Sequence, residues 1–130
     1  MAELQVGARR VDTHVVAEED VITFMGPDRR VLSSPRMILF MERACRDMVA
    51  DTLPEGQATV GMHVNVWHRG AAPEGAPVAY SAQLISLTAS SASAVPNRYE
   101  FRVEARMGEK LIGEGTHLRG LVDVSRFTKA

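Results

Sequence analysis

Apolar and polar residues follow two different periods along the chain. Within the stretch Val31 to Gly56, apolar residues recur every three or four positions, the spacing of an amphipathic helix; its apolar face holds Met37, Ile38, Met41, Ala44, Cys45, Met48 and Val49. Four later segments alternate with a period of two, which predicts strands: ATVGMHVNVWHRG, VAYSAQLISLTA, RYEFRVEARM and LIGEGTHLRGLVDV. A shorter strand is predicted around Val11 to Ala17.

The helix carries start and stop signals. Ser34 is followed by Pro35, and a hydroxyl that caps free N–H groups before a proline at the first helical position is typical of a helix start. Pro54 and Gly56, in the segment LPEG, predict its end. Ser34 is therefore a candidate helix cap.

The order of elements, one strand, one helix and then four strands joined by short turns, predicts an α+β fold. An antiparallel sheet of about five strands that curls around one central helix would bury the apolar face of that helix. This β-meander with an enclosed helix is the pattern of the hot-dog fold. At 130 residues, we expect a single domain over residues 1–130. A second copy would cover the remaining face of the sheet, so we expect at least a homodimer.

Composition narrows the classes of partner. With 15 basic and 16 acidic residues and a pI near 6.4, the chain gives no electrostatic reason to expect nucleic acid or a membrane surface as a partner. No signal peptide or long apolar run is visible, so we expect a cytoplasmic location. The single cysteine, Cys45, lies among apolar helix positions and is expected to be a buried packing residue.

Glu42 is the one acid at the margin of the apolar helix face. Arg46 follows it by four positions, so an exposed ion pair along the helix would explain Glu42 without any chemistry. The other explanation is a partly desolvated carboxylate that acts as a general base or nucleophile beside a cleft. The helix alone leaves both open.

His68 ends a strand face that is otherwise apolar, with Val60, Val64 and Val66. Such a histidine either packs against the core or joins Glu42 around one cleft in an arrangement suited to acyl transfer. Gly61, on the opposite face of a regular strand, either marks a bulge or lets the backbone approach a ligand. No metal site is expected, because His63 and His68 point to opposite faces, and neither His14 nor His117 has a partner at a ligand spacing.

Three segments, VLSSPRMILFMERAC, TVGMHVNVWHRGAAPEG and GEGTHLRG, resemble the fluoroacetyl-CoA thioesterase family of hot-dog enzymes from about Val6 to Phe127. The resemblance implies a catalytic set of Ser34, Glu42 and His68, with the backbone of Gly61 facing the thioester and no cofactor besides the CoA of the substrate. Arg69 and Arg119, each beside a motif, are candidate contacts for the CoA phosphates, although a solvated strand edge is the commoner role.

The same resemblance implies hydrolysis of a small acyl-CoA to the free acid and CoA. The family's defining member has threonine in place of Ser34 and a longer, aromatic-rich segment before the helix, where this chain has TFMGPDRR. Specificity for a fluorinated acyl group is therefore not expected. Two alternatives remain open: a non-catalytic acyl-CoA binding protein, and a hot-dog hydratase or dehydratase acting on acyl thioesters.

Overall fold

Five strands form one antiparallel sheet against which a single long helix packs. The computed structural model describes residues 4–90 and 96–127, and its elements are β1 (Arg9–Val15), α1 (Ser34–Ala50), β2 (Gln57–His68), β3 (Pro77–Thr88), β4 (Arg98–Met107), β5 (Lys110–Asp123) and α2 (Val124–Phe127). A single turn of 3₁₀ helix covers Glu18–Asp20. The α+β class and the number of strands agree with the sequence-based prediction.

The strands lie in the order β1-β3-β4-β5-β2, so only β3, β4 and β5 form a meander. The prediction that the last four strands form a meander is wrong for β2, because β2 pairs with β5 and not with β3. The connection after β2 forms one isolated bridge with the segment before α1, between Pro73 and Val31. It then reaches the end of β1, where Gly75 N–H donates to Val16 O. This crossing carries β3 to the far side of the sheet and leaves β1 and β2 as its two edges.

The core lies between α1 and the inner face of the sheet. The buried helix residues are Met37, Phe40, Met41, Ala44, Cys45, Met48 and Val49, and the sheet contributes mainly Val78, Tyr80, Ala82, Leu84, Phe101, Val103, Ala105 and Ile112. The predicted apolar face is correct except at its margin, where Phe40 is buried and Ile38 only partly so. Removing this apolar surface from water is the main stabilising contribution to the fold.

The helix is capped by Ser33, not by Ser34. The Ser33 hydroxyl accepts a hydrogen bond from Arg36 N at 3.3 Å, and Ser33 has extended backbone angles, as an N-cap residue does. Ser34 is the first helical residue and Pro35 follows it. The predicted capping role of Ser34 is therefore wrong, and its hydroxyl is free for another partner.

Strand β2 contains a bulge between Gly61 and His63. A bulge inserts one residue, so it reverses which side chains face the core beyond it. Before the bulge, Thr59 is buried and Gly61 lies against α1; after it, Val66 packs on the core and His68 contacts the start of α1. The prediction that Gly61 and His68 lie on opposite faces of an unbroken strand is wrong for this reason.

No helix in the two described ranges is long and apolar enough to cross a membrane.

We predict that Ser33→Ala lowers the free energy of unfolding by about 1 kcal/mol, because one N–H group of the first helical turn loses its acceptor. Chemical denaturation followed by circular dichroism measures this loss. Ser34→Ala is the matched control and should change stability less, since Ser34 caps nothing; a larger loss in Ser34→Ala would contradict the assignment of the cap.

Candidate active site

The first residue of α1 and the last residue of β2 meet in a short hydrogen bond. Ser34 Oγ lies 2.7 Å from His68 Nδ1. The meeting follows from the fold, because the antiparallel run of α1 and β2 brings the start of the helix to the end of the strand. When the Ser34 hydroxyl donates to Nδ1, the proton of a neutral imidazole sits on Nε2. His68 is then set to donate a proton from Nε2.

A cavity of about 390 Å³ opens beside this pair. Besides Ser34 and His68, it is lined by apolar side chains from the segment before α1 and by the start of the loop after β2: Ile22, Phe24, Val31, Leu32, Arg69 and Ala71 are among them. The cavity is open to solvent at Phe24, whose side chain is exposed. A small apolar group with one polar end matches this lining.

Glu42 lies two turns further along α1, in contact with two basic side chains of β5. Its Oε2 atom is 3.4 Å from Arg119 Nη1 and 3.6 Å from His117 Nε2. Arg46 instead pairs with its neighbour Asp47 at 2.9 Å. The proposed explanation of Glu42 as an exposed ion pair with Arg46 is therefore wrong.

Arg119 is buried, and its position is fixed by Thr59 on the neighbouring strand. Arg119 Nε donates to Thr59 Oγ1 and Nη2 donates to Thr59 O, both at 2.8 Å. The remaining nitrogen, Nη1, faces both Glu42 and His117 Nε2, the latter at 3.1 Å. Two of the three guanidinium nitrogens are thus held by Thr59, and the third is directed at Glu42.

His117 completes this cluster from below. Its Nδ1 donates to the carbonyl oxygen of His63 at 2.9 Å, so in the neutral ring Nε2 accepts a hydrogen bond from Arg119 Nη1. Burial lowers the pKa of His117, which favours this neutral form. The sequence did not single out His117 or Thr59; their only signal is that both lie on the face of their strand that turns toward Glu42 in the fold.

Gly61 is placed directly against the Glu42 carboxylate. A Cβ atom built at Gly61 would lie 2.5 Å from Glu42 Oε2 and 3.2 Å from the ring of His117. Any larger residue would displace the carboxylate, so glycine is required here for the observed position of Glu42.

Within one chain, the Ser34–His68 pair and Glu42 form two separate groups. Ser34 and Glu42 are eight residues apart on one helix, which corresponds to about 12 Å along its axis. Within a single chain, Glu42 and His68 therefore do not border one cleft, contrary to the expectation from the sequence.

The two arginines suggested for the CoA phosphates differ in their surroundings. Arg69 is at the rim of the cavity, donates to Glu114 Oε2 at 2.6 Å and lies 5.5 Å from the Trp67 ring. Arg119 is only 5% exposed and is committed to Thr59 and Glu42. Arg119 is therefore better placed to orient Glu42 than to contact a phosphate.

Within residues 4–90 and 96–127, no group of three or more histidine, cysteine or acidic side chains is arranged to hold a metal ion. Cys45 is fully buried, and burial raises the pKa of its thiol to about 12, so it is not a thiolate at neutral pH.

Comparisons with known proteins agree with this fold. Residues 16–125 match the sequence profile of the fluoroacetyl-CoA-specific thioesterase family, FlK. The fluoroacetyl-CoA thioesterase of Streptantibioticus cattleyicolor is 28% identical over 131 residues, which cover 95% of this chain and 89% of the relative.

Solved structures give the same result. A structure of the fluoroacetyl-CoA thioesterase FlK superposes with a TM-score of 0.84 at 28% identity, covering 97% of this chain and 93% of that one. A hypothetical protein of Thermus thermophilus, a thioesterase superfamily member, superposes with a TM-score of 0.82 at 27% identity, covering 97% and 89%.

An antiparallel five-stranded sheet packed on one helix, together with these matches, places the fold among the hot-dog thioesterases. The chain belongs to the fluoroacetyl-CoA-specific thioesterase family. The predicted fold class and the predicted activity, that of an acyl-CoA thioester hydrolase, are confirmed at the level of this family.

We predict that stability falls as the pH is lowered below 6.5, the ordinary pKa of histidine. The lowered pKa of His117 means that the unfolded chain takes up a proton at a higher pH than the folded protein does. The contribution of His117 to the free energy of unfolding is therefore complete above pH 6.5. Between pH 6.5 and the pKa of the folded protein, it decreases by about 1.4 kcal/mol for each pH unit. Urea unfolding between pH 8 and pH 5 measures this. His117→Gln should remove this part of the slope, whereas His63→Gln, at an exposed position, should retain it; equal slopes in all three proteins would contradict the assignment.

Proposed function

We propose that this protein hydrolyses a small acyl-CoA thioester to the free acid and CoA, with Ser34, His68 and Glu42 as its catalytic residues. The observation that carries the proposal is the 2.7 Å contact between Ser34 Oγ and His68 Nδ1 at the wall of a small apolar cavity. A histidine oriented by a hydroxyl is suited to proton transfer during acyl transfer. Glu42, oriented by Arg119, supplies the carboxylate that the reaction needs.

In the proposed reaction, the Glu42 carboxylate either removes a proton from water or attacks the acyl carbon itself to give an anhydride that water then hydrolyses. Along both routes the bond between the acyl carbon and sulfur breaks and His68 Nε2 passes its proton to the leaving CoA thiolate. The water that is consumed supplies the proton that restores the neutral His68 ring. Backbone N–H groups near Gly61 or at the start of α1 would stabilise the negative oxygen that forms on the acyl carbon. The products are one carboxylic acid and one thiol for each water consumed.

We also propose that the active form is a homodimer built on the β2 edge. An edge strand presents unpaired backbone groups, and charged side chains normally protect such edges. The exposed part of β2, residues Gly61–Asn65, has no acidic, lysine or arginine side chain and exposes Met62 and Val64. The other edge, β1, carries Arg9, Arg10 and Asp12 and so is better protected.

Antiparallel pairing of two β2 strands would bring the two halves of the site together. With the two-fold axis at Asn65, so that Asn65 lies opposite its own copy, the bulge at Gly61 and Met62 of one protomer lies opposite His68 of the other. Because Glu42 contacts Gly61 and Ser34 contacts His68, each composite site would contain Glu42 from one protomer and the Ser34–His68 pair from its partner. The separation of the two groups in a single chain supports this arrangement.

The acyl group is proposed to be short and not specifically fluorinated. A variant of FlK has been crystallised in complex with fluoroacetate and CoA, and this supports CoA as the thiol carrier here as well. The cavity beside Ser34 is small and lined by aliphatic side chains, with Phe24 exposed at its mouth instead of closing it. Arg69 at its rim is the better placed of the two proposed phosphate contacts, although it would have to exchange its bond with Glu114.

We predict that Glu42→Gln, His68→Ala and Ser34→Ala each lower kcat/KM for short acyl-CoA substrates, by about 100-fold for the first two and about 10-fold for Ser34→Ala. Thiol release from a panel of short, branched and aromatic acyl-CoAs measures this. Glu109→Gln, in the exposed turn between β4 and β5, is the matched control and should retain full activity. Binding of acyl-CoA without thiol release would favour a binding protein, and conversion of the acyl group with the thioester intact would favour a hydratase.

We further predict that two inactive variants restore each other when mixed. A dimer of Glu42→Gln with His68→Ala has both substitutions in one site and neither in the other. Statistical exchange of subunits should therefore recover about a quarter of the wild-type activity. The two variants are unfolded together, refolded and assayed, with each variant refolded alone as the control. Activity no higher than that of the separate variants would show that one chain supplies the whole site.

A further inference from the structure

Asp20 is a fully buried carboxylate that lies outside the proposed catalytic set. Its Oδ1 accepts from Arg36 Nε at 2.8 Å, and its Oδ2 accepts from Ala17 N at 2.9 Å and contacts His14 Nε2 at 3.1 Å. A buried charge is costly unless it is paired and hydrogen-bonded. Removal of one of these partners would leave the buried carboxylate incompletely paired, which is strongly unfavourable.

Two partners of Asp20, Ser33 and Arg36, precede and follow Ser34 along the chain. Ser33 N–H donates to the backbone oxygen of Asp20 at 2.8 Å, and the Asp20 side chain holds Arg36. Ser33 and Arg36 are also joined to each other through the helix cap. Ser34 and Pro35 are therefore the two residues between points that are both fixed by Asp20.

The same cluster is packed against α1. The His14 ring stacks on Phe40 with its centroid 4.1 Å away, and the Arg36 guanidinium lies 5.4 Å from the centre of the Phe40 ring. The two side chains that bind the Asp20 carboxylate are thus held by one aromatic residue of the helix. The geometry ties the loop before α1 to the first turn of α1 at one point.

We propose that Asp20 is a positioning residue for the thioesterase reaction, which holds the Ser34 hydroxyl at hydrogen-bond distance from His68 by fixing the chain on both sides of it. The inference rests on the proposed role of Ser34 and His68. Nothing in the sequence resemblance assigns a function to Asp20, Ser33 or Arg36.

Replacing Asp20 by asparagine tests the charge and the second acceptor without changing the size of the side chain. Asparagine has one acceptor oxygen and one NH₂ group, so either Arg36 Nε–H or Ala17 N–H must face a donor. Burial raises the pKa of Asp20, but its hydrogen bonds with Ala17, Arg36 and His14 outweigh this, and the resulting pKa is lowered. The carboxylate is therefore ionised at neutral pH, and the substitution removes a real charge.

The experiment is a double-mutant cycle with full-length protein: wild type, Asp20→Asn, Ser34→Ala and the double variant, each assayed for thiol release below its melting temperature. We expect Asp20→Asn to lower kcat by about 10-fold with KM changed less than about twofold, because a hydroxyl displaced by a fraction of an ångström no longer orients His68. In the Ser34→Ala background the same substitution should change kcat by less than about twofold, since residues that act through one group are not additive. Asp12→Asn, at a half-buried carboxylate on β1 that pairs with Arg10, is the matched control and should be fully active.

Each result separates the positioning role from the proposed function. Wild-type activity in Ser34→Ala would refute the proposed role of Ser34 itself. Two results would overturn the role of Asp20 alone, provided that Ser34→Ala has lost activity. In the first, Asp20→Asn lowers kcat equally in the wild-type and Ser34→Ala backgrounds. In the second, Asp20→Asn lowers the thermal stability but leaves kcat unchanged. Should Asp20→Asn fail to fold, Arg36→Gln replaces it in the cycle; its side chain is 34% exposed, and it breaks the same clamp from the other side.

Discussion

The packing of α1 on the inner face of the sheet is the constraint on which the rest of the structure depends. It buries one whole face of the helix, including Phe40 and Met41, and so fixes the helix in both rotation and translation. The two polar groups of interest sit at the borders of that buried face, one at the start of α1 and one two turns later. Their positions relative to β2 and β5 are consequences of the apolar packing, which supplies most of the stabilising free energy.

Strand β2 connects the fold with the chemistry. Its bulge after Gly61 allows a strand with a regular period of two to turn both Gly61 and His68 toward the helix, although seven positions separate them. The same strand is an edge, so a second copy of the chain has access to it. One element thereby sets the approach of the backbone to Glu42, the position of His68 and the surface on which we propose dimerisation.

The two polar clusters on α1 follow the same physical rule. Arg119 beside Glu42, and Asp20 beside Arg36, are buried charges that are each matched by an opposite charge and by hydrogen bonds to the backbone or to a hydroxyl. Breaking such a set leaves an unpaired charge in a medium of low polarity, which is strongly unfavourable. Both clusters therefore hold the residues beside them in one geometry, and the geometry of a catalytic group is worth several kcal/mol of barrier.

The sequence by itself determined the elements and their order, because periods of 3.6 and 2 follow directly from helix and strand geometry. The candidate catalytic set came from the resemblance of three segments to a thioesterase family. The sequence also marked Glu42 and His68 as unusual for their positions. Only the tertiary structure decided that β2 lies beside β5, that Ser33 caps the helix and leaves Ser34 free, and that Glu42 pairs with Arg119 across 77 positions of the chain. These features depend on contacts between segments that are distant in sequence, which no local pattern reveals. The bulge was one of two explanations of Gly61 that the sequence left open, and only the pairing of β2 with β5 decided between them.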